Sequence, residues 1–325
     1  MNCYYENKNG KLYCANFLDI AKTLPEKSQQ LIIADPPYYR VKGDFDFVWK
    51  DFDAYLKDVG KWAIACKRIL ADNGTLFWYG DDKNIAYSQV ILDKYFGLVN
   101  SLVWYKYNLR GGMFGSTGGD IIRSFPICTE RILMYSSEKS LNKCTTIDKK
   151  QFASIYKKIK ETATKEDFIR CLLNLKIASS KESAKVLASY KLGTHKTRFD
   201  FLSKEMYNYI DNFNYKYEDL RKEYEDLQRP FYNTLKLNEI LQYNTELNDH
   251  DHDTVKPETL TQALIITCSR KGDNVFIPFV GSGTECVVSE KENRKWIGCE
   301  IEQKHCKTSK NRIEKAREQF LFNFT

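Results

Sequence analysis

The chain of 325 residues is long enough for one large domain, or for one domain that carries an insertion, and its 42% hydrophobic content is that of a globular protein. No apolar run approaches the roughly 18 residues that a membrane span needs, and the first residues, MNCYYENKNG, lack the apolar stretch of a signal peptide. These features exclude the membrane and secreted classes, so we expect a cytoplasmic protein without a membrane partner.

The ten cysteines are scattered along the chain without a CxxC pair, which favours reduced thiols over a disulfide framework. One local cluster contains Cys299, His305 and Cys306, but its spacing fits no zinc-ligand pattern. The sequence therefore predicts no metal site.

Strand and helix signals alternate over the first 140 residues. The segments KLYCA and LIIA read as strands, residues 55–70 carry apolar side chains at helical spacing, and Asp72, Asn73 and Gly74 form a turn before the strand TLFWYG. A helix over about 84–96 and the strands SLVWYKY and ERILMYS follow, the two strands separated by a glycine-rich loop. Such alternation favours a mostly parallel sheet with helices on both faces.

The middle of the chain differs in charge and in pattern. Strand signals give way to Lys-rich helical segments, and residues 141–204 hold 15 Lys and Arg against 6 Asp and Glu, a larger excess than the +7 of the whole chain. Such a block is either a solvated face or the footprint of a polyanion. We expect one α/β domain, formed by residues 1–140 and 250–325, that is split by a basic, mainly helical insertion at 141–249.

A glycine-rich turn follows the strand NVFI in the segment PFVGSGTEC. Gly281 and Gly283 let the backbone approach a ligand closely at the N-terminus of the next helix. The following strand ends in Glu300, 19 residues after Gly281, where a carboxylate can accept both hydroxyls of a ribose. The pattern indicates a nucleoside cofactor, with an ordinary strand-to-helix turn as the alternative.

The strand LIIA ends in the tetrapeptide DPPY. Pro36 and Pro37 fix the backbone and remove two donors, and Asp35 adds a carboxylate that only accepts hydrogen bonds when ionised. Acceptors beside the aromatic Tyr38 suit an amino group on a flat ring, such as the exocyclic amine of a nucleobase that has left its helix. Accepting both hydrogens of that amine returns its lone pair to nitrogen. The alternative is a purely structural turn.

With DPPYYRVKGDFDFVW near the start and HDTVKP before PFVGSGT near the end, the chain resembles the S-adenosylmethionine-dependent DNA amino-methyltransferases, specifically the adenine-N6 enzymes of the β class. The resemblance covers about 1–140 and 250–325 and implies a Rossmann-like methyltransferase sheet. It also implies S-adenosyl-L-methionine as cofactor, double-stranded DNA as partner and methyl transfer to N6 of a flipped adenine. By position, the catalytic residues would be Asp35, Pro36, Pro37 and Tyr38.

The same resemblance assigns the cofactor site, with the central insertion between the two motifs as the target-recognition region. The methionine end of the cofactor would be surrounded by Asp35, Phe279, Gly281, Ser282, Gly283 and Thr284. Glu300 would bind the ribose, and the cofactor adenine would lie beside Asn16 and Phe17. The segment before the cofactor turn contains Thr254, Lys256 and Pro257, and Lys256 would balance the cofactor carboxylate. Two departures bear on cofactor affinity. Ile277 and Asn16 stand where the family usually carries Asp.

Basic residues outside the motifs are the candidates for DNA contact, namely Arg40, Lys42, Arg110, Arg123, Lys196 and Arg198. The alternatives are an RNA adenine-N6 or DNA cytosine-N4 methyltransferase and an inactive DNA-binding relative. A bacterial or phage source is expected. The sequence leaves open whether a cognate restriction endonuclease or a homodimer accompanies the activity.

Overall fold

The computed structural model describes residues 3–40, 48–107, 127–137, 152–192, 194, 201–210, 215–245 and 255–322, with side chains through residue 318. The chain divides into two compact units. The first comprises Met1–Thr145 and Pro230–Thr325, and the second comprises Thr146–Arg229. None of the described helices is both long enough and apolar enough for a membrane crossing.

Within the described residues, the first unit is built on one sheet. Its strands are β1 (Tyr5–Glu6), β2 (Gly10–Cys14), β3 (Gln29–Ala34), β4 (Leu70–Gly80), β5 (Gly97–Tyr105), β6 (Thr129–Ser136), β7 (Ile240–Gln242), β8 (Asn274–Ile277) and β9 (Lys295–Glu300). They lie in the order β1-β2-β9-β8-β3-β4-β6-β5-β7. β2, β9, β8, β3 and β4 pair in parallel, whereas β6 is antiparallel to both of its neighbours.

The described helices are α1 (Phe17–Thr23), α2 (Phe52–Ile69), α3 (Ile85–Leu92), α4 (Ala153–Thr162), α5 (Lys165–Asn174), α6 (Lys181–Lys191), α7 (Lys204–Ile210), α8 (Tyr217–Leu227), α9 (Glu258–Cys268), α10 (Thr284–Lys291) and α11 (Gln303–Phe322). Successive side chains of a strand point to opposite faces. Leu31 and Ile33 of β3 accordingly join a buried cluster with α9, α10 and α11, while Ile32 and Ala34 join one with α1, α2 and α3. Helices therefore cover both faces, and the predicted fold class is confirmed.

The second unit contains α4 to α8 and has a hydrophobic core of its own. Phe152, Phe168, Leu172 and Leu220 are all buried within it. Helix α8 begins at Tyr217 and ends before Pro230, and an ion pair of 2.6 Å between Lys158 Nζ and Glu223 Oε2 joins α4 to α8. The role of this region in target recognition stays a prediction.

No pattern in the sequence indicated β7, a strand of three residues that pairs with β5. Only Leu241 of this strand is buried, so the segment lacks the alternating pattern that marks a longer strand. Residues 230–245 thus belong with the sheet, although they fall inside the predicted insertion of 141–249. Asp72, Asn73 and Gly74, predicted as a turn, lie within the bounds of β4 at an irregularity in its pairing with β3. Leu70 pairs with Gln29 and Thr75 with Leu31, so regular pairing resumes only after Gly74.

Two glycines of the first unit provide a matched test of packing. A Cβ added at Gly10 would lie 2.1 Å from the indole of the buried Trp296, whereas one added at Gly60, inside α2, meets nothing within 4 Å. We expect Gly10→Ala to lower the free energy of unfolding by about 1–3 kcal/mol through overpacking. Gly60→Ala should raise it by about 0.5–1 kcal/mol through helix propensity. Urea unfolding of both variants measures the difference, and a fully stable Gly10→Ala protein would contradict this packing.

Candidate active site

The two sequence motifs meet at the carboxyl edge of the sheet. β3 and β8 are parallel neighbours, and the chain continues from β3 toward β4 on one side and from β8 toward β9 on the other. Asp35 follows β3 directly, and the glycine turn follows β8 directly. Open α/β sheets bind ligands at such switch points, outside the carboxyl ends of the strands.

Asp35 is held by two partners. Lys256 Nζ lies 2.6 Å from Asp35 Oδ2, and the hydroxyl of Tyr38 donates a hydrogen bond to Asp35 Oδ1. The side chain of Lys256 is 5% exposed and that of Asp35 is 21% exposed. The lysine is therefore enclosed, while the carboxylate reaches the surface of the site. Asn84 Nδ2 fixes the end of the motif by donating to the carbonyl of Tyr38 at 2.5 Å.

A chain of alternating charges continues from Lys256. Its Nζ lies 3.4 Å from Glu130 Oε2, and Lys106 Nζ lies 2.5 Å from Glu130 Oε1. Burial alone would lower the pKa of Lys256, but Asp35 and Glu130 outweigh burial and raise it. Lys256 thus stays charged. Two protein carboxylates already neutralise it, whereas the sequence assigned it to the cofactor carboxylate.

Sequence reasoning missed Lys106 and Glu130. The two residues are 24 positions apart and flank the predicted glycine-rich loop, with no motif of their own. They meet because β5 pairs antiparallel with β6, with Tyr105 opposite Thr129. A long-range strand pairing of this kind cannot be read from local spacing.

The ring of Tyr38 is not presented as a stacking surface in this structure. The residue is 4% exposed, and burial, followed by the charges of Asp35 and Glu130, holds the pKa of its hydroxyl well above the ordinary value. The hydroxyl therefore stays protonated and donates to Asp35. Stacking of this ring on a base would require the side chain to turn out of the core.

The glycine turn has the backbone that its sequence suggested. Gly281 has φ +51° and Gly283 has φ +86°, and a Cβ at Gly283 would lie 2.8 Å from the Cβ of Ser309. Glu300 Oε2 accepts a hydrogen bond of 2.8 Å from the Gly281 N–H. The structure thus brings the turn and Glu300 together, and the carboxylate holds the turn in place.

A clamp from α11 holds the same turn from behind. Arg312 Nη1 donates to the carbonyl and hydroxyl oxygens of Ser282, at 2.9 and 3.0 Å, and to Thr284 Oγ1 at 3.0 Å. Ser309 Oγ donates to the Gly281 carbonyl at 2.8 Å. The side chains of Ser282 and Thr284 are therefore engaged by the protein itself. No pattern in the sequence of α11 pointed to this clamp.

The residues expected beside the cofactor adenine lie at the start of α1. Asn16 is exposed and caps the helix by accepting the Leu18 N–H at 2.9 Å, a role that Asp would also fill. Phe17 packs edge to face on Phe279 with ring centroids 5.0 Å apart, and Phe279 packs in the same way on Trp62 at 5.1 Å. These rings form an apolar wall next to the glycine turn.

Glu285 is a buried acid that sequence reasoning did not single out. It lies in the first turn of α10 and is 4% exposed, and its Oε1 has no hydrogen-bond partner among the described residues. Burial, followed by the charge of Asp35, raises its pKa to about 7, although Lys256 and Arg312 partly oppose this shift. A hidden acid could have been suspected only from its position directly after the GSGT turn.

Several predicted site residues fall outside the described residues, namely Lys42, Arg110, Arg123, Lys196, Arg198 and Thr254. Arg40 is described and exposed, with its guanidinium 5.2 Å from the centre of the Tyr39 ring. Pro257 is buried and precedes α9. In the part of the chain that is described, no group of three or more His, Cys, Asp or Glu is arranged to hold a metal ion.

Replacing Lys256 by Met tests the charge network. The change leaves Asp35 and Glu130 without their shared buried cation, so we expect a loss of about 3–5 kcal/mol in the free energy of unfolding at pH 7.5. Lys27→Met is the control, because Lys27 and Asp72 form an exposed pair whose loss should change stability by less than about 1 kcal/mol. Equal urea midpoints for the two variants would contradict the network.

Replacing Glu285 by Gln tests the buried acid through pH. Because the folded pKa is about 7 and the unfolded value is near 4.5, the folded state binds the proton more tightly, and stability falls as pH rises between these values. At pH 8 the variant should be roughly 3 kcal/mol more stable than the wild type, and the gain should shrink toward pH 5. Urea unfolding across pH measures it. A gain that is the same at both pH values would contradict the assignment.

Comparison with known proteins agrees with this geometry. A family model described as DNA methylase, for N6 and N4 enzymes, matches residues 29–311. The chain is 25% identical over 314 residues to the Type II methyltransferase M.HinfI of Haemophilus influenzae, covering 91% of this chain and 66% of that protein, which is just under two thirds of its length. It is 24% identical over 335 residues to M2.DpnII of Streptococcus pneumoniae, covering 97% and 93%.

Solved structures share the fold. The PvuII DNA methyltransferase, which is cytosine-N4-specific, superposes with a TM-score of 0.55 at 14% identity, covering 97% of this chain and 93% of that one. TTHA0409 of Thermus thermophilus, in complex with S-adenosyl-L-methionine, gives 0.52 at 17% identity and covers 95% of each chain. Since the family model spans most of the sequence and both of its motifs, the chain belongs to the DNA methylase family of N6 and N4 amino-methyltransferases.

Proposed function

We propose that the protein is a site-specific DNA methyltransferase that transfers a methyl group to N6 of an adenine flipped out of DNA. S-adenosyl-L-methionine is the methyl donor of this family, and the prediction of that cofactor is confirmed. The observation that carries the adenine assignment is the position of Asp35. Its partly exposed carboxylate lies at the tip of β3, beside the glycine turn of β8.

The residues at this edge fit a nucleoside cofactor. Gly281 and Gly283 leave space above the turn, and the wall formed by Phe17 and Phe279 suits an adenine ring. Glu300 already binds the Gly281 N–H through Oε2, and its remaining acceptor capacity suits a ribose hydroxyl. The cofactor supplies a methyl group bound to a positively charged sulfur.

Asp35 and the carbonyl of Pro36 would accept the two hydrogens of the target amine. This contact would return the lone pair to the amine nitrogen and point it at the methyl carbon that the cofactor would supply. The cofactor would leave as a neutral thioether, and the proton lost by the amine would pass to water past the partly exposed Asp35 carboxylate. The chain contributes chiefly position and fixed negative charge. A protonated Tyr38 and Lys256 each contact one oxygen of Asp35, so the base must share these oxygens or displace one of the two contacts. We propose that Tyr38 yields and stacks on the base.

Cytosine N4 is the second candidate, because it presents the same kind of amine. The specific observation in its favour is the fold that the chain shares with the cytosine-N4-specific PvuII enzyme. The fold by itself therefore does not distinguish an adenine-N6 from a cytosine-N4 methyltransferase. In the family that the sequence resembles, an acidic first residue in the motif favours adenine. Asp35 holds that position.

DNA contact is proposed for two regions. Arg40 lies two residues after the DPPY motif and is exposed. Within the second unit, the exposed lysines without an ion pair among the described residues suit phosphate contact, namely Lys160, Lys165, Lys176, Lys181, Lys185, Lys216 and Lys222. The bacterial relatives are named Type II methyltransferases, which supports the proposal that this protein acts together with a cognate restriction endonuclease. We also propose that it forms a homodimer.

The product separates the candidates. DNA incubated with the protein and S-adenosylmethionine is digested to nucleosides, and mass spectrometry should detect N6-methyladenine without N4-methylcytosine. Asp35→Asn should lower the rate by roughly 100-fold, because one acceptor is lost where charge develops. Asp72→Asn, at an exposed carboxylate, should retain full activity. N4-methylcytosine would contradict the adenine assignment, and a fully active Asp35→Asn enzyme would overturn the proposed role of the carboxylate.

A further inference from the structure

Glu285 is a polar side chain beside the cofactor turn, and its contacts within the described chain leave one carboxylate oxygen, Oε1, without a hydrogen-bond partner. Arg312 engages Ser282 and Thr284, and the Gly281 N–H is bound by Glu300. Glu285 follows them in the first turn of α10, is 4% exposed, and has no hydrogen-bond partner for Oε1 within the described chain. A buried acceptor of this kind is costly unless something pairs with it.

Charged and titratable groups face Glu285 from four other elements. Asp35 follows β3, Tyr79 belongs to β4, Lys256 precedes α9, and Arg312 belongs to α11. The two cations are already committed, Lys256 to Asp35 and Glu130, and Arg312 to the glycine turn and Glu258. Among the described residues, none forms an ion pair with Glu285.

Asp35 and the buried Glu285 therefore lie close enough to interact electrostatically, near the point where the catalytic motif and the glycine turn meet. Ile277, the residue at the end of β8, is fully buried and adds no polar group there. Two nearby carboxylates, one of them without a counter-ion, favour a cationic ligand group, since a cation lowers the cost of ionising both.

We propose that Glu285 binds the α-ammonium group at the methionine end of S-adenosylmethionine and shares it with Asp35. The inference rests on the proposed function in one respect, namely that this cofactor occupies the glycine turn. The proposal assigns the ammonium group of the cofactor to a residue outside both sequence motifs, because Glu285 follows the GSGT segment.

The assignment links cofactor binding to the proton on Glu285. In the free protein the pKa of this carboxyl is raised to about 7, by burial and then by Asp35. An ammonium group beside it favours the ionised form, so binding near neutral pH releases a proton and becomes tighter as pH rises from 6 to 8. The neutral amide of Gln at this position can do neither.

Isothermal titration calorimetry with three ligands tests the proposal. S-adenosylmethionine and S-adenosylhomocysteine carry the ammonium group, whereas methylthioadenosine lacks the whole methionine end. At pH 8, Glu285→Gln should weaken binding of the first two by roughly 10- to 100-fold, the range of a charge-assisted hydrogen bond, and leave methylthioadenosine unchanged. Buffers of different ionisation enthalpy should show proton release on binding to the wild type that is absent in the variant.

Glu290→Gln is the matched control, because Glu290 is a buried acid on the same helix that pairs with Trp296 and Arg317 instead. It should leave all three affinities unchanged. Equal weakening of all three ligands by Glu285→Gln, or unchanged binding of S-adenosylmethionine, would overturn the proposal. A wild-type protein that binds none of the three would overturn the cofactor site itself and with it the proposed function.

Discussion

The ion pair between Lys256 and Asp35 is the contact on which the site depends. A buried ammonium group is unfavourable unless opposite charges surround it, and here Asp35 and Glu130 do so at 2.6 and 3.4 Å. The pair ties the end of β3, the start of β6 and the segment before α9 to one point. Residues separated by more than two hundred positions are thereby held in one arrangement, and the Asp35 carboxylate gains a fixed orientation before any ligand arrives.

The sheet order makes that arrangement attainable. Because β8 lies between β9 and β3, the glycine turn, Glu300 and Asp35 all emerge at one edge on neighbouring strands. The antiparallel pairing of β6 with β4 and β5 brings Glu130 and Lys106 to the same edge from a part of the chain without a motif. Burial then makes each charge depend on the next, so the network acts as a unit and not as separate pairs.

Local features of the site could be predicted from the sequence, and contacts between distant segments could not. DPPY, the glycine turn and Glu300 were recognisable because their chemistry resides in consecutive residues or in a fixed strand-turn-strand spacing. Arg312, Glu130 and Glu285 were missed because each acts through the packing of separate elements. The inward orientation of Tyr38 was missed for a related reason, since spacing says nothing about the hydroxyl bond to Asp35. The short strand β7 has too few residues to show a period.

The clamp from α11 links ligand affinity to the integrity of a helix that touches none of the predicted catalytic residues. Arg312 and Ser309 bind the very backbone and hydroxyl atoms that shape the glycine turn. Any loosening of α11 would release the turn, and any ligand that needs the ordered turn would in return stabilise α11 by mass action. The far side of this helix is thus a place where sequence change can tune cofactor affinity without altering the chemistry, through the fraction of molecules in which the turn is formed.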